Sequence, residues 1–146
     1  LIGEVKNNPR LHIPVFGNGD VFSGEIALEK KNKYGVDGVM IGRASIGYPW
    51  IFREMKHFLA TGEQLAPPTM NERIEAAERH LEMSVKWKGE KLGVLEMRRH
   101  YSNYFKGIPH FKEHRMKLVT QDYYSEIQET FEEIKQAFSD GLISVS

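Results

Sequence analysis

The sequence contains no cysteine. Disulfide bonds, thiolate metal sites and a cysteine nucleophile or acid are therefore excluded within these residues. Long apolar runs are also missing, because charges interrupt the hydrophobic stretches well before the roughly 18 residues that a membrane-spanning helix needs. The first six residues lack the pattern of a signal peptide. We expect a cytoplasmic protein with no membrane partner.

A net charge of either sign is absent as well. Lys and Arg number 20, as do Asp and Glu, so the total charge does not indicate a nucleic-acid partner. The histidines His12, His57 and His80 stand alone, with no second ligand at metal spacing, and we expect no metal site. The chain begins without Met, in residues typical of a helix end, which suggests a piece of a longer protein.

Residues 1–62 alternate between two kinds of pattern. Short apolar stretches that end in glycine-rich turns are each followed by an amphipathic stretch, which predicts strand 13–16, helix 23–33, strand 36–41 and helix 50–60. This alternation is typical of parallel β/α architecture. Two parallel strands do not make a stable sheet alone, because such strands are normally buried on both faces. We therefore expect this part to need partner strands.

Beyond a proline-containing linker at 63–68, the pattern of residues 69–146 is purely helical. Thr69 and Glu72 have the spacing of a capping box. Apolar residues three and four apart predict four helices in a small bundle, at 69–88, 90–106, 111–119 and 122–140. Met70, Met83 and Met97 are predicted to fill the core.

Residues suited to binding phosphate follow both predicted strands. Asn18, Gly19 and Asp20 come after the first strand, and Gly42 and Arg43 after the second. Glycines allow backbone N–H groups to approach phosphate oxygens, and arginine offers a forked, permanently charged donor. Either motif alone is more simply a surface turn. Their placement at two strand ends favours a phosphate site, as in β/α barrels.

The zero net charge conceals two segments of opposite sign. Residues 98–119 hold six Lys or Arg against Glu113, a net of +5, and residues 122–146 hold six acids against Lys135, a net of −5. The basic segment predicts contacts with RNA. The candidate ligands are Arg98, Arg99, Lys106, Lys112 and Arg115. The alternative is a solvated helix face whose charges the acidic last helix balances.

Aromatic residues are interleaved with the basic ones. They could stack on unpaired bases or build the core. The sequence leaves this choice open for Tyr101, Tyr104, Phe105 and Phe111.

Several runs together resemble one family. Residues 13–20 (IPVFGNGD), 35–44 (GVDGVMIGRA) and 49–52 (PWIF) resemble the end of the barrel in bacterial tRNA-dihydrouridine synthases, most of all the B-type, nitrogen-regulation-like branch. Residues 93–101 (GVLEMRRHY) and 104–109 (YFKGIP) resemble the helical domain of that family. The resemblance covers essentially the whole chain in the order of the family.

The resemblance implies a fold and an activity. The fold is α/β plus all-α: the last two β/α units of an FMN-binding (β/α)8 TIM barrel at 1–62, then a helical tRNA-binding domain at 69–146. The family reduces the 5,6 double bond of uridines in tRNA. NADPH reduces FMN, the flavin N5 passes hydride to the base, and a cysteine protonates the neighbouring carbon.

The resemblance also assigns roles to residues. Asn18, Gly19 and Asp20 would lie at the phosphate end of FMN, and Gly42 and Arg43 would bind the phosphate. The candidate RNA ligands of the basic segment would face tRNA. The cysteine of the family falls outside this chain, so we expect the chain alone to be inactive.

Three alternatives remain open at this point. The parent protein could be another FMN-barrel oxidoreductase, such as a dihydroorotate dehydrogenase, since these share late-strand glycine motifs. The chain could instead be a non-enzymatic helical RNA-binding module that carries the first 62 residues as a passenger. The basic segment could also dock onto the barrel rather than onto RNA.

Overall fold

The computed structural model describes residues 1–143 in two compact units, one of Leu1–Ala66 and one that begins at Pro67. Ser144, Val145 and Ser146, the end of the predicted helical domain, lie outside the described residues. Among residues 1–143, none of the helices combines the length and the apolar character that crossing a membrane requires.

The first unit alternates helices and short strands. Its elements are α1 (Ile2–Lys6), β1 (Phe16–Asn18), α2 (Gly24–Tyr34), β2 (Gly38–Met40), a 3₁₀ turn (Arg43–Ser45) and α3 (Ile51–Thr61). The Ser23 hydroxyl accepts a hydrogen bond from the N–H of Ile26, which confirms the predicted start of α2. Gly35 ends α2 with φ +62°, a left-handed conformation that glycine adopts without steric cost.

The two strands pair in parallel, as the alternation predicted. Phe16 lies opposite Gly38, and Asn18 lies opposite Met40. The predicted bounds of β1, 13–16, were wrong, because the strand begins only at Phe16. Pro14 has no N–H to donate. The N–H of Val15 is taken by the Asp37 carboxylate, at 2.7 Å, rather than by a neighbouring strand.

The first unit buries one side of its strand pair better than the other. Its core consists of Val21, Ala27, Ile51 and Met55, with Val39, Ile41, Ala44 and Tyr48 packed around it. Ile13 and Phe16 remain 69% and 66% exposed, and Met40 remains 55% exposed. These apolar side chains on and beside the strands are what we expect of parallel strands that lack their neighbours.

In its described part, residues 67–143, the second unit forms four helices, as predicted: α4 (Met70–Lys88), α5 (Glu90–Tyr104), α6 (Lys112–Thr120) and α7 (Tyr124–Ser139). Thr69 and Glu72 form the predicted capping box, in which the Thr69 hydroxyl accepts from the Glu72 N–H and the Glu72 carboxylate accepts from the Thr69 N–H. α5 ends at Tyr104, two residues before the predicted end.

The core of the second unit is built by α4, α5 and α7, with Leu118 from α6. Its most buried side chains include Ile74 and Leu81 of α4, Met97 and Tyr101 of α5, and Ile127, Phe131 and Ile134 of α7. Met70 and Met97 are buried as predicted. Met83 is 49% exposed, so that prediction was wrong. It lies on the outer side of α4, off the face that carries Ile74, Ala77 and Leu81.

α4 and α5 form a closely packed antiparallel hairpin with only Gly89 between them. The Ser84 hydroxyl of α4 donates to the Gly93 carbonyl of α5, at 3.2 Å. A Cβ placed on Gly93 would lie 2.7 Å from the Cα of Val85, so the two backbones approach too closely for any side chain at this position. The glycine at 93 therefore sets the distance between the helices.

Candidate functional site

The parallel register brings the loops that follow β1 and β2 to the same edge. A cleft of about 740 Å³ opens there, which we call the strand-end cleft. Its lining includes all five predicted phosphate ligands together with Val21, Phe22 and Ala44: Asn18, Gly19, Asp20, Gly42 and Arg43. The tertiary structure thus brings together two motifs that are separated along the sequence.

The loop after β1 reverses direction through two unusual backbone conformations. Gly19 has φ +136° and Asp20 has φ +42°. A φ of +136° is essentially restricted to glycine. The ammonium of Lys30, from α2, donates to the Gly19 carbonyl and holds the loop against the helix. The peptide at Gly19 is therefore fixed at the mouth of the cleft.

The loop after β2 supplies the 3₁₀ turn. Gly42 precedes this turn, and the Ser45 hydroxyl donates to the Gly42 carbonyl at 2.9 Å. Apart from Gly42 and its two neighbours in the chain, no atom of residues 1–143 lies within 4 Å of the position that a Cβ on Gly42 would occupy. The space beside Gly42 is consequently open to a ligand, and the first N–H groups of a helical turn have no acceptor within the turn.

Arg43 and Asp20 connect the two loops. Nη2 of Arg43 donates to Oδ1 of Asp20 at 2.5 Å, and the two side chains are 86% and 69% exposed. A pair this exposed contributes little to stability. Arginine has five N–H donors, and the others remain available for an anion. Asp20, itself an anion, is therefore suited to orient Arg43 and not to bind phosphate directly.

The basic segment divides into two groups. Arg98 donates to the Gln121 carbonyl at 3.0 Å and to Asp122 at 2.6 Å, and Lys117 pairs with Glu133 at 2.5 Å. Arg98 thus connects α5 to an acid just before α7, and Lys117 connects α6 to an acid within α7. For these two cations, the alternative in which the acidic last helix balances the basic segment is correct.

The remaining four cations of the segment are exposed. Among residues 1–143 they form no ion pair: Arg99, Lys106, Lys112 and Arg115. Lys112 and Arg115 are three residues apart and lie on the same face of α6. These four residues are therefore the members of the segment that remain accessible to an RNA backbone.

The aromatic residues of the basic segment belong to the core. Tyr101, Tyr104, Phe105 and Phe111 are all buried. Phe105 stacks on Phe111 with ring centroids 4.6 Å apart, and Tyr101 meets Phe131 edge to face at 6.0 Å. Of the two possibilities that the sequence left open, core packing is correct, and these rings are not available to stack on bases.

Sequence reasoning missed three features of the two units. Lys30, from the middle of α2, reaches the Gly19 carbonyl, a contact that only the tertiary structure could reveal. Trp87 is 80% exposed at the end of α4, although its lysine neighbours at 86 and 88 were a visible signal. His80, interpreted as isolated, lies beside His100 with ring centroids 4.7 Å apart.

The fold and the cleft define a class of protein: a β/α unit with a glycine-rich, arginine-bearing cleft at its strand ends, joined to a helical unit. The model of the dihydrouridine synthase (Dus) family matches residues 1–140. The chain therefore belongs to the dihydrouridine synthase family.

Curated relatives agree with this assignment. The chain is 42% identical over 108 residues to probable tRNA-dihydrouridine synthase 1 of Synechocystis sp., a match that covers 74% of this chain and 30% of that protein. It is 38% identical over 140 residues to tRNA-dihydrouridine synthase B of Pseudomonas putida, covering 93% and 41% respectively.

The chain is also 43% identical over 134 residues to tRNA-dihydrouridine synthase B of Xanthomonas axonopodis pv. citri, a match that covers 84% of this chain and 40% of that protein. The matched regions thus span less than half of the length of these relatives.

Proposed function

We propose that this chain is part of a flavin-dependent tRNA-dihydrouridine synthase, which reduces uridine in tRNA to 5,6-dihydrouridine with NADPH and FMN. The observation that carries the proposal is the strand-end cleft, in which all five residues expected at the FMN phosphate meet. The family membership of residues 1–140 supports it. The two strands with their helices correspond in this proposal to the last two β/α units of a (β/α)8 TIM barrel.

The strand-end cleft fits the phosphate end of FMN on three grounds. The volume of about 740 Å³ lies within the range typical of cofactor sites, roughly 300–1,000 Å³. The space beside Gly42 is open, and the exposed guanidinium of Arg43 provides a cation with donors to spare. Arg43 would bind the phosphate, and backbone N–H groups at Gly19 and Gly42 would add neutral donors.

FMN supplies hydride chemistry when it is bound. The residues of this chain would contribute binding and orientation. Asp20 would hold the Arg43 guanidinium in place before the phosphate arrives, and Lys30 would hold the Gly19 peptide through its carbonyl. Neither role requires a proton transfer. This is consistent with a site that binds the phosphate end of FMN, far from the reacting flavin ring.

Catalysis would depend on residues outside this chain. The sequence has no cysteine, and the resemblance assigns the protonation of the uridine carbon to a cysteine of the family. We therefore expect the 146-residue chain by itself to form no dihydrouridine. The whole protein would act in the cytoplasm, where tRNA is its substrate.

The helical unit would contribute the contact with tRNA. Its four unpaired cations, at 99, 106, 112 and 115, would neutralise backbone phosphates, a contribution that depends on salt and not on sequence. Arg98 is already bonded to Gln121 and Asp122 and would stabilise the packing beneath this surface. It would contact tRNA only if those hydrogen bonds opened.

The test is to express the whole open reading frame, check for bound flavin and assay dihydrouridine in an unmodified tRNA transcript with NADPH. Dihydrouridine together with bound FMN is the expected result. Bound flavin without dihydrouridine would assign the barrel to another FMN oxidoreductase. A protein with neither would contradict the proposal.

The second candidate function is a non-enzymatic RNA-binding module. It is favoured by one observation, the compact second unit with a core of its own. This hypothesis predicts that residues 69–146 bind RNA as tightly as the whole protein does. A clear loss of tRNA discrimination when the first unit and the rest of the barrel are deleted would count against it.

A further inference from the structure

The tip of the α4–α5 hairpin presents an indole to solvent. We use the name hairpin tip for residues 86–91, which comprise the last turn of α4, Gly89 and the first turn of α5. Trp87 is 80% exposed there. Its indole ring forms no ring contact or hydrogen bond with other residues of the described part of the chain. Most of its large apolar surface is therefore exposed.

The hairpin tip is held in one conformation from several sides. Gly89 has φ +78° and joins the two helices directly. The Lys88 ammonium pairs with Glu96 on the facing helix. The Glu90 carboxylate accepts the N–H of Tyr124 at 2.9 Å, which ties the tip to the start of α7. Trp87 thus projects from a fixed backbone and not from a mobile loop.

Lysines flank the tryptophan in the sequence. The hairpin tip contains Lys86, Lys88 and Lys91 against Glu90, a net of +2. Lys88 is engaged with Glu96, and Glu90 with Tyr124. Lys86 and Lys91 form no ion pair within residues 1–143. Two available ammonium groups therefore lie close in sequence to one exposed aromatic face.

This combination matches the chemistry of an unpaired nucleotide. A base offers a π-face that stacks on an aromatic side chain, and its phosphate offers the anion that lysine attracts. An acidic protein surface would satisfy the lysines but would leave the indole without a stacking partner. The aromatic residues of the basic segment are buried, whereas Trp87 is an exposed ring with the unpaired Lys86 directly before it in the sequence and the unpaired Lys91 four residues after it.

We propose that Trp87 stacks on an unpaired base of RNA while Lys86 and Lys91 contact the neighbouring phosphates. The proposal rests on the proposed function for the identity of that RNA as tRNA. It adds to the four cations of the basic segment a second contact point, at the opposite end of α5 from Lys106.

The test measures the affinity of the 146-residue chain for an unmodified tRNA transcript and for a single-stranded oligouridylate, each over a range of salt. Trp87→Ala is expected to weaken binding about 5- to 150-fold, the effect of losing one stacked base, without changing the salt slope. Trp87→Phe should retain most of the affinity, because phenylalanine also stacks. Lys86→Ala with Lys91→Ala should lower the salt slope by about two units.

Two controls make the result specific. Leu95→Ala removes another exposed apolar side chain of the same hairpin, 53% exposed, and should leave RNA affinity unchanged. In a Trp50→Phe background, Trp87 is the single remaining tryptophan, and its fluorescence should be quenched when RNA binds. Melting temperatures close to that of the original chain would show that each variant remains folded.

Some outcomes would overturn the inference. The inference would be wrong if Trp87→Ala left the affinity for RNA unchanged. It would also be wrong if the original chain bound neither the tRNA transcript nor the oligouridylate. If Trp87 were shielded from acrylamide in the full-length protein before RNA is added, the hairpin tip would belong to a protein contact.

The dihydrouridine assay on the full-length protein tests the proposed function independently of the stacking site. If Trp87→Ala kept the RNA affinity of the original chain and the full-length protein formed dihydrouridine, only the stacking site would be contradicted. Weakened RNA binding by Trp87→Ala, in a protein that forms no dihydrouridine, would support the stacking site and contradict the enzyme.

Discussion

The imidazole rings of His80 and His100 lie with their centroids 4.7 Å apart at the interface of α4 and α5. Nδ1 of His80 is 3.2 Å from the Tyr104 hydroxyl, and Nε2 of His100 accepts from Nε of Arg99 at 3.2 Å. Burial lowers the pKa of both histidines, and the positive charge of Arg99 lowers each further. Folding therefore favours their neutral forms.

The histidine pair should make stability depend on pH. The unfolded chain takes up protons near pH 6.5, whereas the folded chain resists them, so the free energy of unfolding should fall as the pH drops below about 6.5. Lys88 adds to the effect on both rings, and Glu96 opposes it at His100. The melting temperature of the chain should thus decrease between pH 7 and pH 5.5.

Replacing both histidines measures their share of this dependence. His80→Gln with His100→Gln should flatten the change of melting temperature between pH 7 and pH 5.5. His12→Gln, at an exposed position of the other unit, should leave the change as it is. An equally steep dependence in the double variant would assign the effect to other groups.

Arg43 should determine how tightly the full-length protein holds FMN. Arg43→Ala removes the charge-assisted hydrogen bonding to the phosphate, and the loss of one such bond, worth about 1.5–3 kcal/mol, should by itself weaken FMN binding roughly 10- to 150-fold. Arg43→Lys should recover only part of the loss, because lysine lacks the forked donor geometry. Flavin fluorescence titration of the protein stripped of its cofactor gives the dissociation constants.

A matched control for Arg43 is Arg10→Ala, which removes an exposed arginine of the same unit outside the strand-end cleft. FMN affinity should not change in that variant. If Arg43→Ala bound FMN as tightly as the original protein, the phosphate would have to lie elsewhere.

The cations of the basic segment should differ in their effect on tRNA binding. Arg99→Ala, Lys112→Ala and Arg115→Ala should each lower the slope of log affinity against log salt by about one unit, with no large loss of stability. Lys117→Ala should leave the slope nearly unchanged, because this ammonium is engaged with Glu133. If all four variants kept the salt slope of the original protein, the basic segment would dock onto protein and not onto tRNA.

Gly93 should be essential to the packing of the α4–α5 hairpin. Gly93→Ala would place a methyl group 2.7 Å from the backbone of Val85, which cannot move aside without shifting α4. We expect a destabilisation of about 1–3 kcal/mol despite the higher helix propensity of alanine. Urea unfolding measures the change, and the exposed Ser102→Ala in the same helix should stay within about 0.5 kcal/mol of the original chain.

Local signals in the sequence were sufficient for the helices of the second unit. α4, for example, begins at the capping box of Thr69 and ends at Gly89, and both signals act over a single turn. The apolar positions were less reliable. Leu92 and Leu95 of α5 are apolar and three residues apart, yet they are 47% and 53% exposed, because the close approach at Gly93 turns a different face of the helix towards α4.

The sequence by itself determined the alternation of strands and helices, the two glycine-rich turns and the presence of opposite charge in two segments. These properties depend on residues that are neighbours along the chain. The tertiary structure alone decided which of them act together. The parallel register placed Asp20 beside Arg43, and the packing of α7 against α5 and α6 engaged Arg98 and Lys117 while leaving four cations exposed. Such choices arise from contacts between residues far apart in sequence, which no local pattern encodes.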